Sequence, residues 1–215
     1  MELSNKTMIY MISIAIIIIL FGTTISLTRL QQIYSITGLA SSTSGAVNVT
    51  VAATASINLT YNSINWGSGQ VASGSSSATL DTNNNSAYVQ GGTWSTSGIN
   101  GFTLENDGNV PVNVTINNTH NATTLINGTN PQFRFEARIP TGNSTACESG
   151  LLTGQTEFAQ TSIKRRICNT LNYTQNRDKL IIDINITIPE DSPTGSKNST
   201  VTFDACSVAS GTCTP

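Results

Sequence analysis

Charge is what this sequence has least of. Lysine and arginine together number 10 and aspartate and glutamate 12, so charged residues make up only 10% of 215 positions. A chain so poor in cations has no basic face to collect phosphates, which argues against nucleic acid as a partner. Aromatic residues are scarce too, at 6%, and there is one histidine, His120, in the polar stretch INNTHNATT. Any Ser-His-Asp or Cys-His site would have to use that one imidazole, and no Gly-x-Ser-x-Gly elbow accompanies it. His120 is expected in a loop. No Cys-x-x-Cys pair exists, so a zinc site is not expected. The Gly-Ser stretch GSGQVASGSSSATLDTNNNS lacks the Lys-Ser/Thr ending and following helix of a phosphate-binding loop, and reads as a surface loop. No cofactor is expected, and the chain is not expected to be an enzyme.

What is abundant begins with one long apolar run. Met8 to Leu27, MIYMISIAIIIILFGTTISL, carries no charge and has the ~20 residues that a bilayer's hydrocarbon core requires. At roughly −0.5 kcal/mol for each central Ile, Leu or Phe, insertion is favoured by about 5 kcal/mol before Ser13, Gly22, Thr23 and Thr24 subtract some. An Ile run without a polar stripe has no face for water. The expected reading is an uncleaved signal anchor in contact with the lipid bilayer through residues 8–27. A cleaved secretory signal is the rival, with Gly38 and Ala40 before the cut, but the run exceeds the usual ~7 to 15 residue core and Ala40 lies well beyond its end.

Flanking charge orients the span weakly, with Lys6 on one side and Arg29 on the other. The remainder settles the expectation. Beyond the span, Asn-x-Ser/Thr acceptors for N-glycosylation stand at Asn48, Asn58, Asn84, Asn113, Asn117, Asn121, Asn127, Asn143, Asn172, Asn185 and Asn198, an enrichment that suits export. Four cysteines, Cys147, Cys168, Cys206 and Cys213, suit an oxidising compartment. They allow three pairings, and proximity favours Cys147 with Cys168 and Cys206 with Cys213. The expected protein is a single-pass cell-membrane protein, cytoplasmic over 1–7 and extracellular at its C-terminal domain. The helix and its extension cover 8–38, where Leu30, Ile33 and Tyr34 keep helical spacing, and a flexible tether covers 39–46.

From 47 to 215 the apolar residues alternate. Val47, Val49, Val51, Ala53, Ala55, Ile57, Leu59 and Tyr61 form one face of a long strand, with Asn48 and Asn58 on the wet face. Phe102 and Leu104 lead into a tight turn at 106–109, whose residue types accept positive φ, and Val110, Val112, Val114 and Ile116 continue beyond it with Asn113 and Asn117 outward. Phe133, Phe135, Ala137 and Ile139 point inward, as do Leu180, Ile182, Ile184, Ile186 and Ile188, which puts Asn185 towards water. Val201, Phe203 and Ala205 share a last face. With weaker runs near Ala78, Ala87, Phe158 and Ile167, on the order of eight to ten strands and no second helix are expected, which makes an all-β sandwich of two antiparallel sheets.

Two pieces, LENDGNVPVNVTI and IPEDSPTGSKNSTVTFDA, resemble strand-turn-strand pieces of immunoglobulin-like domains in archaeal and bacterial surface proteins, including matrix-fibre and bundling-pilus subunits of the camelysin type. The resemblance implies an immunoglobulin-like sandwich with a noncatalytic role in the cell envelope, structural or adhesive, and either self-association or contact with other envelope proteins. The fibre subunits lose their leader, whereas this span reads as retained. A pilin-like or donor-strand filament subunit is therefore the alternative, although Lys6-Thr7 matches a prepilin cut poorly. A third possibility is an exported hydrolase or carbohydrate-binding module using Trp66 or Trp94 with acids. Against it, Trp66 is expected to plug a core or loop, and Glu105 with Asp107 and Glu190 with Asp191 read as solvated turn acids or a weak calcium site. The cluster Lys164, Arg165 and Arg166 reads as an exposed strand start, with an anionic headgroup or acidic partner as the alternative.

Overall fold

The computed structural model describes residues 5–36, 50–83, 86–159 and 163–210. Packing divides the chain into two compact units, Met1–Thr50 and Val51–Pro215.

The first unit is built on helix α1, Asn5–Ile36. Every side chain from Asn5 to Thr24 is exposed, and these 20 residues have a mean hydropathy of 2.2. At 1.5 Å per residue they span about 30 Å, the thickness of a bilayer core. A helix apolar all round gains nothing from water, and this one is long and apolar enough to cross a membrane, as an anchor or as a signal sequence. Its hydroxyls turn back on the helix: Ser13 Oγ donates to the Ile9 carbonyl at 2.9 Å, and Thr23 and Thr24 donate to that of Leu20 at 3.0 Å. That pairing removes the cost of a bare hydroxyl in hydrocarbon. Gly38 and the tether over 39–46 lie outside the described residues.

The second unit is mostly β. Its strands are β1 (Asn58–Tyr61), β2 (Ser77–Asp81), β3 (Tyr88–Gln90), β4 (Phe102–Glu105), β5 (Val112–Asn118), β6 (Gln132–Arg138), β7 (Thr156–Glu157), β8 (Arg165–Leu171), β9 (Lys179–Pro189) and β10 (Val201–Ser207), and a one-turn helix α2 (Ala122–Leu125) was not expected from the sequence. Seven strands make one sheet and β10, β5 and β8 make the other, with every pairing antiparallel. Strand β9, with 11 residues, organises the larger sheet. Its length lets two strands share one edge end to end, β4 opposite 179–182 and β2 opposite 185–189, while β6 runs along its other edge. This sheet curls into a half-barrel.

The inner faces of both sheets fill one apolar core. Leu104, Phe133, Phe135, Ala137, Leu180, Ile182 and Ile184 from the larger sheet meet Val112, Val114, Ile116, Ile167 and Leu171 from the smaller. Phe158 packs on Phe133 and Phe135 with ring centroids 4.4 and 4.7 Å apart, and Phe102 meets Phe203 edge-on at 5.7 Å, joining β4 to β10. Each such pair adds about 0.5–1.5 kcal/mol beyond its buried area. A smaller cluster gathers Trp66, Ala78, Leu80 and Ile99, with Trp94 packed against it. The Trp94 ring lies against Gly69 and Gly92, where an added Cβ would stand 2.4 and 2.8 Å from it. Gly69 and Gly92 thus serve close packing, whereas Gly67 and Gly74 face open space.

Three expectations are corrected. The long strand from Val47 begins only at Asn58: residues 50–57 are outside any strand and Val51 is 78% exposed, while Val47, Asn48 and Val49 lie outside the described residues. The cause is a competing partner. Asn109 Oδ1 accepts from the Thr54 amide at 2.6 Å, Asn109 Nδ2 donates to the Ala52 carbonyl at 2.8 Å, and the Asn109 amide donates to the Thr54 carbonyl at 3.0 Å. A turn has taken the backbone groups a ladder would need.

That turn is the second correction. It does not close a hairpin, because β4 and β5 belong to different sheets, and none of residues 106–109 has positive φ. Buried Asn106 shapes it instead: Oδ1 accepts from the Gly108 amide at 3.1 Å, and Nδ2 donates to the carbonyls of Val110 at 3.0 Å and Leu171 at 3.1 Å. An Asx turn replaces the left-handed one.

The third correction concerns Asn185, expected in water. It does lie on the face of β9 opposite the core, but that face is covered too, and Asn185 is 7% exposed.

Candidate functional site

The covered outer face of β9 gathers polar groups that alternation alone did not single out. The register sets Asp81 and Arg134 on either side of Asn185, and Glu136 beside Asp183. Asp81 is 6% exposed. Its Oδ1 accepts from the Asn83 amide at 2.8 Å, and its Oδ2 from Asn185 Nδ2 at 2.6 Å, the Tyr88 hydroxyl at 3.4 Å and Gln155 Nε2 at 3.5 Å. Asp183 pairs with Arg138 Nε through Oδ2, while its Oδ1 accepts from Thr82 Oγ1 at 2.9 Å. Thr82 Oγ1 in turn accepts from the Ile184 amide at 2.9 Å. Burial, then the charge and hydrogen bond of Asp81, push the Tyr88 phenol above its ordinary value.

Chemically this arrangement holds strands together. Asp81, Asn83, Glu136, Gln155, Asp183 and Asn185 border a recess of about 40 Å³, room for about one water. Both buried carboxylates already accept from several donors, and no group of three or more His, Cys, Asp or Glu among the described residues could hold a metal ion. The network ties β2, β6 and β9 and the 155 loop at one point. The available signal was an acid inside an apolar run, Asp183 between Ile182 and Ile184.

The eleven acceptor asparagines divide by exposure. Asn58, Asn127 and Asn198 are exposed; Asn113, Asn117, Asn121 and Asn143 are half-buried; Asn48 and Asn84 lie outside the described residues. Asn113 and Asn117 share a face of β5, and Asn121 caps α2, accepting from the Thr124 amide at 2.9 Å. Asn172 and Asn185, at 8% and 7% exposure, are the buried ones. Asn172 Nδ2, the atom a glycan would take, donates to Glu148 Oε1 at 2.8 Å, as Asn185 Nδ2 does to Asp81.

Cys147 and Cys168, 21 positions apart in the chain, form a disulfide with Cα atoms 5.9 Å apart. Cys206 is disulfide-bonded as well, while Cys213 lies outside the described residues. His120 Nδ1 meets Thr119 Oγ1 at 2.9 Å in the loop after β5. Glu105 pairs with Lys179 at 3.3 Å across β4 and β9, and Asp107 stands exposed. Lys164 pairs with Asp204 at 3.2 Å and Arg165 opens β8, so these cations sit at a strand start. Glu190 is exposed, and Asp191 accepts from the Thr129 amide at 2.9 Å and hydroxyl at 2.6 Å, which holds its carboxyl below the usual range. Trp66 is buried, and one side of Trp94 is covered by Gly69 and Gly92.

Fold and sites together define a two-part class: an apolar N-terminal helix of membrane-crossing length, and a disulfide-bonded unit that is mostly β. No protein-family model, curated protein or solved structure matches the chain.

Proposed function

We propose that this is a noncatalytic, membrane-anchored envelope protein, with its N-terminus in the cytoplasm and a glycan-bearing immunoglobulin-like sandwich of the archaeal surface-protein kind displayed outside. Its role is structural or adhesive, through self-association or contact with other envelope proteins. One pairing of features carries the reading: a helix whose 20 residues from Asn5 to Thr24 form an apolar span with no side chain covered, in a chain whose other unit holds a disulfide. Such bonds persist in oxidising compartments, and an uncovered apolar helix is stable in lipid. The exposed acceptors Asn58, Asn127 and Asn198 support glycan display. The burial of Trp66 weakens the sugar-platform alternative.

Alkaline carbonate washing and protease treatment of intact cells test the proposal. The chain stays in the membrane fraction and its β unit is digested from outside. Release by carbonate, or protection of the β unit in intact cells, overturns it.

A second reading, a filament subunit that donates a strand to its neighbour, draws on segment 51–55, which is exposed and alternates in sequence. Mass spectrometry of the mature N-terminus separates the two. Met1 or Glu2 favours the anchor, and a start near Thr7 or Ser41 favours a processed subunit.

A further inference from the structure

Two Asn-Gly pairs occur in the chain, Asn100-Gly101 and Asn127-Gly128, and the fold treats them in opposite ways. We propose that Asn127-Gly128 is a site of spontaneous covalent modification, at which the Gly128 nitrogen closes on the Asn127 side chain to form a succinimide that opens to aspartate or isoaspartate.

The geometry is that of a poised intramolecular reaction. Asn127 is exposed, and it and Gly128 have φ values of 60° and 96°. The Gly128 nitrogen lies 2.7 Å from Asn127 Oδ1, so the carbon to be attacked is one bond away from that contact. The backbone on both sides is pinned, which holds the two groups together at little further entropic cost. The Ile126 carbonyl accepts from Ser192 Oγ at 2.7 Å and Lys197 Nζ at 3.1 Å, and Thr129 donates twice to Asp191. Gly128 cannot be exchanged for a bulkier nucleophile, since a Cβ there would lie 2.6 Å from Asp191 Oδ1. The Asp191 carboxylate beside Gly128 opposes the negative charge that develops during attack, and the two Thr129 donors screen that carboxylate.

The chemistry needs only water. The Gly128 amide gives its proton to solvent base, its nitrogen bonds to Asn127 Cγ, and the Cγ–Nδ2 bond breaks to release ammonia. Water then adds to one imide carbonyl. Cleavage at Cγ gives aspartate; cleavage at the main-chain carbonyl gives isoaspartate, which lengthens the backbone by one carbon. Either product sets a carboxylate where a neutral amide stood, in the turn that holds Asp191. A glycan on Asn127 would occupy the leaving nitrogen, so glycosylation and this reaction compete for one atom.

Asn100-Gly101 is walled in. Gly101 is buried, the place of its Cβ is 2.7 Å from Asp183 Oδ1 and 2.8 Å from the Ile182 carbonyl, and the Asn100 amide donates to the Tyr61 hydroxyl at 3.3 Å. The test is peptide mapping of isoaspartate in the full-length, disulfide-intact chain, made without N-glycosylation and kept in detergent micelles in mildly alkaline buffer. Conversion at Asn127 is expected to outrun that at Asn100 by about tenfold or more in the folded chain, with the ratio falling towards unity in urea. Equal rates in the folded chain, or a ratio that survives urea, overturn the proposal.

Discussion

The two faces of β9 carry the same period-two pattern and have opposite contents. One presents Leu180, Ile182 and Ile184 to the apolar core, and the other presents Asp183 and Asn185 to a hydrogen-bonded network, with all five buried. Alternation decides which residues share a face. Whether that face is wet depends on which side chains crowd it, and here Asp81 from the neighbouring strand β2 meets Asn185, with Tyr88 from β3 and Gln155 from the loop before β7 bonded to the same carboxylate. A buried amide then becomes a structural partner, because an unpaired polar group in such a place costs about 1–3 kcal/mol.

The largest effect should come from the dry face. Phe135→Ala removes a ring packed on Phe158 and is expected to cost about 3–5 kcal/mol, read as a lowered urea midpoint. Next comes the polar face. Asn185→Ala leaves Asp81 Oδ2 without its nearest donor, and a loss of about 1–3 kcal/mol is expected. If the network acts as a unit, a double-mutant cycle with Asp81→Ala gives a coupling of about 0.5–3 kcal/mol. Additivity would show the face to be simply wet. An exposed acceptor sharpens the contrast: Asn198→Gln should stay within about 0.5 kcal/mol of the parent chain by the same unfolding curve. The smallest effect is one of pH. Thr129 lowers the pKa of Asp191 in the folded chain, so the unfolded chain binds that proton more readily. The contribution is present above the ordinary carboxylate value and disappears as pH falls through the lowered folded value. Asp191→Asn should flatten the acid limb of stability measured against pH.

Much of the architecture was legible beforehand. Alternation located the inward residues of β6, β9 and β10, and an Ile-rich apolar stretch declared its helix. The network on β9 was not legible, because its members come from positions 81, 138, 155, 183 and 185, and only the register brings them together. Nor was the early end of the expected first strand, since a turn side chain 55 residues away captures the Thr54 amide. The same limit applies to the acceptors: Asn198-Ser-Thr and Asn185-Ile-Thr are equivalent as triplets, and only packing separates an exposed amide from a buried one.

By itself the sequence determined what is local: an uncharged apolar run of bilayer length, which residues along each strand face the same way, and which asparagines and cysteines are chemically eligible. Tertiary structure decided what depends on neighbours from elsewhere in the chain: which second faces are covered, which cysteine lies opposite Cys147, and which asparagine amides are already engaged. The reason is physical. Backbone geometry sets periodicity within a few residues, whereas burial and hydrogen bonding depend on groups brought together across the fold.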